Sequence, residues 1–225
     1  MQTFAGLILD VDSTLTSVEG IQWLAARRGP AIAQRVAEMT DGAMLGTVPL
    51  DDVYGARLAL VRPTRADVTA LAEAYEQGTV PGVQHTLSTV MDCGLQITVI
   101  SGGIREAVLP FAESLRIPAD RVHAVSLSFG AGGEYVRYDM GSPLARRGGK
   151  PELVHSLGLA RPVLALGDGS TDAELKTRLI AGQRTVDGFA AFIGVAERAP
   201  VVAVADYVVR RFTELPSILL GEAAA

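Results

Sequence analysis

The chain has 225 residues, 48% of them hydrophobic and 20% charged, so a sizeable core is available and wholesale disorder is excluded. That length fits one large domain, or a core domain carrying a smaller one. A formal net charge of −5 argues against a nucleic-acid binder, which presents a basic face, and is no obstacle to binding a divalent cation. Cys93 is the only cysteine, so no intramolecular disulfide forms and a reducing cytoplasm is the simplest setting. The opening MQTFAGLILD lacks a basic region and is interrupted by Asp10, unlike a signal peptide, and no run of 18 apolar residues predicts a membrane span.

In chain order, FAGLIL (4–9) reads as a first strand. From Thr16 to Gly78 four helical patterns follow without a strand between them: VEGIQWLAARRG, PAIAQRVAEMTDGAML, PLDDVYGARLALV and TRADVTALAEAYEQG. LQITVI (95–100) is the next strand, and IREAVLPFAESL (104–115) is a helix that Pro110 is positioned to kink. VSLSF (125–129), GAGG and EYVRY (134–138) read as a hairpin. PELVHSLG (151–158) has proline at a first helical position and glycine at the stop. PVLALG (162–167), AAFIGV (190–195) and the weaker DYVV (206–209) complete the strands. This alternation predicts an α/β, Rossmann-like, mostly parallel sheet with helices on both faces. Residues 1–15 and 79–225 form that core, and residues 16–78 form a helical-bundle cap inserted after the first strand.

Three predicted strands end in polar, reactive residues: DVDST (10–14), SGG (101–103) and GDGSTD (167–172). Taken singly, each serves as a helix cap or turn. Three at equivalent strand ends point to a site, because ligands of open α/β sheets bind beyond the carboxyl ends of the strands. Ser101 and Gly102 precede a predicted helix, where free N–H groups face an anion; Ser101 equally suits the N-cap of that helix. Lys150 stands beside Pro151 at a helix N-terminus, where the dipole disfavours a cation. It is one of only two lysines, against 18 arginines, and a compact ammonium suits a point contact to phosphate. Lys176, with no motif around it, reads as a surface residue. GK at 149–150 is not a Walker loop, since Leu144 and Pro151 stand where glycine and Ser/Thr belong. His85, His123 and His155 match no metal-ligand pattern, and Cys93 reads as a small inert residue.

DVDST, ISGG, a following lysine and GDGSTD together resemble the haloacid dehalogenase superfamily of phosphotransferases. Within it, EGI (19–21), EMTDGAMLGTVP (38–49), ARLALVRPT (56–64), VPGV (80–83), GGK (148–150) and FIG (192–194) resemble the phosphoserine phosphatase family, in order and over nearly the whole chain. The resemblance implies that Asp10 is a nucleophile forming an aspartyl-phosphate. It implies that Asp12 protonates the leaving serine oxygen and then activates water, a role helped by residues two apart in an extended chain pointing the same way. It implies Mg2+ held by Asp10, the Asp12 backbone carbonyl and Asp168, with Asp172 orienting the metal's water shell. Ser101, Gly102, Lys150 and Thr171 would meet phosphate, Glu19 the substrate amino group and Arg57 its carboxylate, with Met44 lining the pocket. Taken alone, Glu19 also suits a helix start and Arg57 an exposed surface. Leu50, where the family often has phenylalanine, and Thr171, where many members have asparagine, bear on which small phosphate ester is used. The expected partner is a small-molecule phosphate ester, phosphoserine first, with no nucleic acid or membrane. The alternatives are a same-fold phosphatase or phosphotransferase for another ester and, more distantly, a catalytically dead binding protein.

Overall fold

A computed structural model describes residues 4–44 and 50–221, with side chains 41–52 outside the description. Ten strands are present among these residues. They are β1 (Gly6–Leu9), β2 (Gln96–Ile104), β3 (Val122–Val125), β4 (Leu127–Phe129), β5 (Tyr135–Tyr138), β6 (Val163–Gly167), β7 (Leu179–Ile180), β8 (Gln183–Arg184), β9 (Gly188–Phe192) and β10 (Tyr207–Val209). The α-helices are α1 (Gly20–Ala26), α2 (Pro30–Met44), α3 (Leu50–Val61), α4 (Arg65–Gln77), α5 (Val83–Asp92), α6 (Arg105–Ser114), α7 (Gly149–Leu157), α8 (Ser170–Thr177), α9 (Ala199–Val202) and α10 (Leu215–Leu220).

Six strands form one sheet in the order β10-β9-β6-β1-β2-β3, every adjacent pair parallel. All residues of β1, β6 and β9 are buried. Neighbouring side chains on a strand point to opposite faces, so full burial means that helices cover both. The Rossmann-like expectation holds. From β1 the chain proceeds through β2 to β3 on one side, then crosses to β6 on the other. The switch point therefore lies where β1 meets β6.

The four helical patterns of the insert are α1 to α4, all between β1 and β2. The chain leaves and re-enters the sheet region side by side: Thr16 bridges Thr79, Ser17 N donates to Gly78 O and Val80 N to Leu15 O. Thr64 and Asp67 cap α4 reciprocally, side chain to backbone N–H in each direction, and Arg28 pairs with Asp67. Helices α1, α2 and α3 contact one another, whereas α4 packs on α6 of the sheet region. Tyr75 of α4 and Phe111 of α6 are both fully buried, with ring centroids 5.7 Å apart.

Several boundaries differ from the sequence reading. β2 continues through Ser101, Gly102 and Gly103 to Ile104, with its register against β3 shifting between Ile100 and Ile104. The N-cap of α6 is therefore Ile104, and Ser101 does not cap it. Helix α7 begins at Gly149 rather than Pro151 because Gly148, at φ +72, supplies the left-handed residue that starts the turn. The expected hairpin is β4–β5, but its first run is divided: β3 joins the main sheet and only β4 pairs with β5. Pro110 lies inside α6, which runs unbroken. Truncating Phe111 to alanine removes the contact that seats α4 on the sheet region. Urea unfolding of Phe111→Ala is expected to show a loss of about 3–5 kcal/mol.

Candidate active site

The three polar strand ends converge on one pocket at the β1/β6 switch point, lined by residues that include Asp10, Ser101, Gly102, Lys150, Asp168 and Thr171. Asp10 follows β1 directly and Asp168 follows β6, so parallel pairing of the two strands sets their carboxylates side by side. Asp172, on the first turn of α8, accepts from Gly169 N at 3.0 Å. One oxygen from each of Asp10, Asp168 and Asp172 lies within 4.8 Å of the others, and all three residues are buried.

Lys150 enters this cluster from the first turn of α7. Its Nζ is 2.6 Å from Asp172 Oδ1 and 2.9 Å from Asp10 Oδ1, and only 5% of the residue is exposed. Burial by itself works against the ammonium, but the charges of Asp10 and Asp172 outweigh it and hold the lysine pKa above its ordinary value. Burial and the neighbouring Asp10 push Asp172 up to about 7, against the opposing pull of Lys150. Arg198, just before α9, contacts Asp168 Oδ2 and donates to the Asp168 carbonyl at 3.2 Å. Thr14 Oγ1 donates to Asp168 Oδ1 at 3.0 Å.

The donor set fits a metal. It is all carboxylate oxygen, which suits a hard divalent cation. Asp10 Oδ1 is buried and, despite its ion pair with Lys150, has no aligned hydrogen bond. Asp172 is raised by burial first and by the charge of Asp10 second, both of which disfavour an uncompensated carboxylate there.

Asp12 lines the same pocket, and both of its oxygens are held by the insert. Tyr75 Oη donates to Oδ1 at 2.5 Å and Gly20 N to Oδ2 at 3.1 Å. Burial first, then the charge of Glu19, raises Asp12 to about 7. A Cβ on Gly20 would stand 2.3 Å from Tyr75 Oη, so this close approach requires glycine. Ser101, 1% exposed, accepts from Gly103 N at 3.0 Å through its Oγ, a turn inside the strand end in place of the expected helix cap. Glu19 is the N-cap residue of α1, as its alternative reading had it, and it also lines the pocket. It accepts from Ser13 Oγ at 2.6 Å and lies 3.5 Å from Arg198 Nη2. Arg57 is not the exposed arginine of the alternative reading: it is half-buried, lines the pocket and donates to Thr40 Oγ1 at 3.3 Å. Met44 ends α2, but its side chain, like that of Leu50, lies outside the described residues.

The pocket thus gathers every described site residue expected from the sequence. Sequence reading missed three residues that support it: Arg198, which lines the pocket, and Tyr75 and Thr14, which bond Asp12 and Asp168 from outside its lining. Tyr75 carries only the signal of an apolar position on a helix. Arg198 belongs to VAERAP, which is notable in sequence only for lacking a glycine-rich run. Thr14 was read only as part of the DVDST motif.

No family model matches the chain. It is 35% identical over 216 residues to phosphoserine phosphatase of Homo sapiens, covering 95% of this chain and 90% of that protein. It is 34% identical over 209 residues to the chloroplastic phosphoserine phosphatase of Arabidopsis thaliana, covering 92% and 68%. Among solved structures, a phosphoserine phosphohydrolase-like protein from Francisella tularensis superposes with a TM-score of 0.84 at 25% identity, covering 96% of this chain and 99% of that one. A substrate-bound phosphoserine phosphatase, 21% identical, shares the fold with a TM-score of 0.78, covering 96% and 98%. With this identity spread over nearly the full length of both chains, and with the strand-end carboxylates, the serine and the buried lysine gathered in one pocket, the chain belongs to the phosphoserine phosphatase family.

Proposed function

We propose that this chain is a magnesium-dependent hydrolase that converts O-phosphoserine to serine and phosphate through an aspartyl-phosphate on Asp10. The observation that carries the reading is the convergence of Asp10, Asp12, Lys150 and Asp168 on one pocket in a member of this family. Asp10, the Asp12 backbone carbonyl and Asp168 would hold Mg2+, with Asp172 orienting its water shell. The ion supplies charge screening between an anionic nucleophile and an anionic phosphate.

In the first half-reaction an Asp10 carboxylate oxygen bonds to phosphorus as the bond from phosphorus to the serine oxygen breaks. Asp12 gives its proton to that leaving oxygen. In the second, Asp12 takes a proton from water as the water oxygen bonds to phosphorus, releasing phosphate and restoring Asp10. A pKa of about 7 suits a group that must both donate and accept near neutrality. Lys150 neutralises Asp10 and the incoming phosphate, while Ser101, Gly102 and Thr171 line the phosphate end. Glu19 meets the amino group of phosphoserine and Arg57 its carboxylate. Met44 completes the wall.

The paired stem at Thr16 and Thr79 supports a division into a catalytic core, residues 1–15 and 79–225, and a helical cap, residues 16–78. Closure of that cap would exclude bulk water while the phosphoenzyme forms. Among the described residues no helix is long and apolar enough to cross a membrane. The single cysteine supports placement in a reducing compartment such as the cytoplasm.

Phosphate release from O-phosphoserine is expected to vanish with chelator and return with Mg2+, and Asp10→Asn should lose at least about 10³-fold in kcat. Retained turnover in that variant would sink covalent catalysis. Millimolar Mg2+ should raise the thermal midpoint of the wild type but not of Asp168→Asn, a readout independent of turnover. Arg57→Ala should lower kcat/KM for phosphoserine about 10- to 100-fold, chiefly through KM. Lys150→Met leaves buried carboxylates without their cation and should cost about 3–5 kcal/mol at pH 8. Asp172 has a folded-state pKa above its unfolded value, so its protonation favours the fold at low pH and that contribution is lost as pH rises through about 7. Urea unfolding of Lys150→Met should therefore show a smaller deficit at pH 5.5 than at pH 8.

A further inference from the structure

Tyr54, on α3, has a buried hydroxyl with nothing to bond. The residue is 4% exposed and lines the pocket, and its Oη has no hydrogen-bond partner among the described residues. Its ring is fixed on two sides. Tyr138 of β5 meets it edge-on at 5.2 Å between centroids, and Arg57 Cζ lies 5.9 Å from the ring centre. Arg57, one helical turn along α3, also keeps a buried Nε without a partner among the described residues. Burial raises the phenol pKa, against the opposing charge of Arg57, so Tyr54 stays neutral and able to donate at physiological pH.

Two buried donors one turn apart on α3 are thus without an acceptor among the described residues, a condition that costs stability unless a ligand fills it. The missing group must accept hydrogen bonds and carry negative charge beside a guanidinium. An ammonium fails on both counts, whereas a carboxylate, which only accepts and has two oxygens, meets both. We propose that Tyr54 is a specificity-determining residue that donates its hydroxyl to the substrate's α-carboxylate, sharing that group with Arg57. This rests on the phosphoserine reading for the identity of the ligand, but only on the pocket for the chemistry it reads.

The test is Tyr54→Phe, which deletes the hydroxyl and keeps the ring. Steady-state kinetics would compare O-phosphoserine with O-phosphoethanolamine, which keeps the phosphate and amino group and lacks the carboxylate. The ratio of the two kcat/KM values should fall about tenfold or more in the variant, mainly through KM for phosphoserine. The thermal midpoint of the ligand-free variant should stay equal or rise, because the deleted hydroxyl had no partner to lose. A ratio within twofold of the wild type overturns the inference, whatever the midpoint does. If the wild type hydrolyses other esters but not phosphoserine, the phosphoserine reading fails by itself. The role of Tyr54 is then decided by the same ratio between phosphoglycolate, which has a carboxylate, and phosphoethanolamine.

Discussion

A single buried ammonium ties the end of β1 to the first turn of α8. Lys150 sits between Asp10 and Asp172, and a third carboxylate, Asp168, completes the cluster. Without a cation such a cluster would repel itself apart in a poorly solvated setting, since like charges at these separations interact strongly at low dielectric. Lys150 offsets part of that charge from the β1 side, and Arg198 offsets part from the Asp168 side. Burial first, and then the charge of Asp10, keeps Asp172 raised even beside the ammonium. Because the ammonium enters from α7, the placement of that helix by Gly148 is part of the site's electrostatics as well as of its fold.

The second constraint comes from the insert. Asp12 belongs to the β1 loop, yet its two hydrogen-bond donors are Tyr75 of α4 and the first residue of α1. Helix α4 is seated on α6 through Tyr75 and Phe111, so the phenol is a rigid donor fixed to the sheet region. The other three helices of the insert pack chiefly on each other and bring Arg57, Tyr54 and Glu19 over the pocket. Strand ends therefore supply the carboxylates, the serine and the lysine-bound cluster of the pocket, and the helices of the insert supply Glu19, Tyr54 and Arg57. Arg198 spans the two, reaching Asp168 below and Glu19 above.

Much of this was legible residue by residue. DVDST and GDGSTD announced themselves because carboxylates and glycines interrupt strongly apolar runs, and Lys150 because a lysine stood out in a chain of arginines. The four helices of the insert read as helical stretches with no strand between them. The extension of β2 through SGG was not legible, because glycine has weak strand preference and its partner β3 lies almost wholly ahead of the expected hairpin, where no strand was expected. Tyr75 and Tyr54 look like ordinary core aromatics in sequence. One hydroxyl finds Asp12, 63 positions away, and the other finds no partner among the described residues, and helical periodicity distinguishes neither case.

The amino-acid sequence by itself determined the class of fold, the helical insert, and the carboxylates, serine and lysine that line the pocket. Those properties are local: hydrophobic period, strand-end chemistry and short motifs are written in neighbouring residues. Only the tertiary structure decided which distant groups complete them, namely Tyr75 on Asp12, Arg198 on Asp168 and Glu19, and Tyr54 beside Arg57. These contacts depend on how α4 seats on α6 and how β6 crosses to the far side of β1, and such long-range packing leaves no signature in a short stretch of chain.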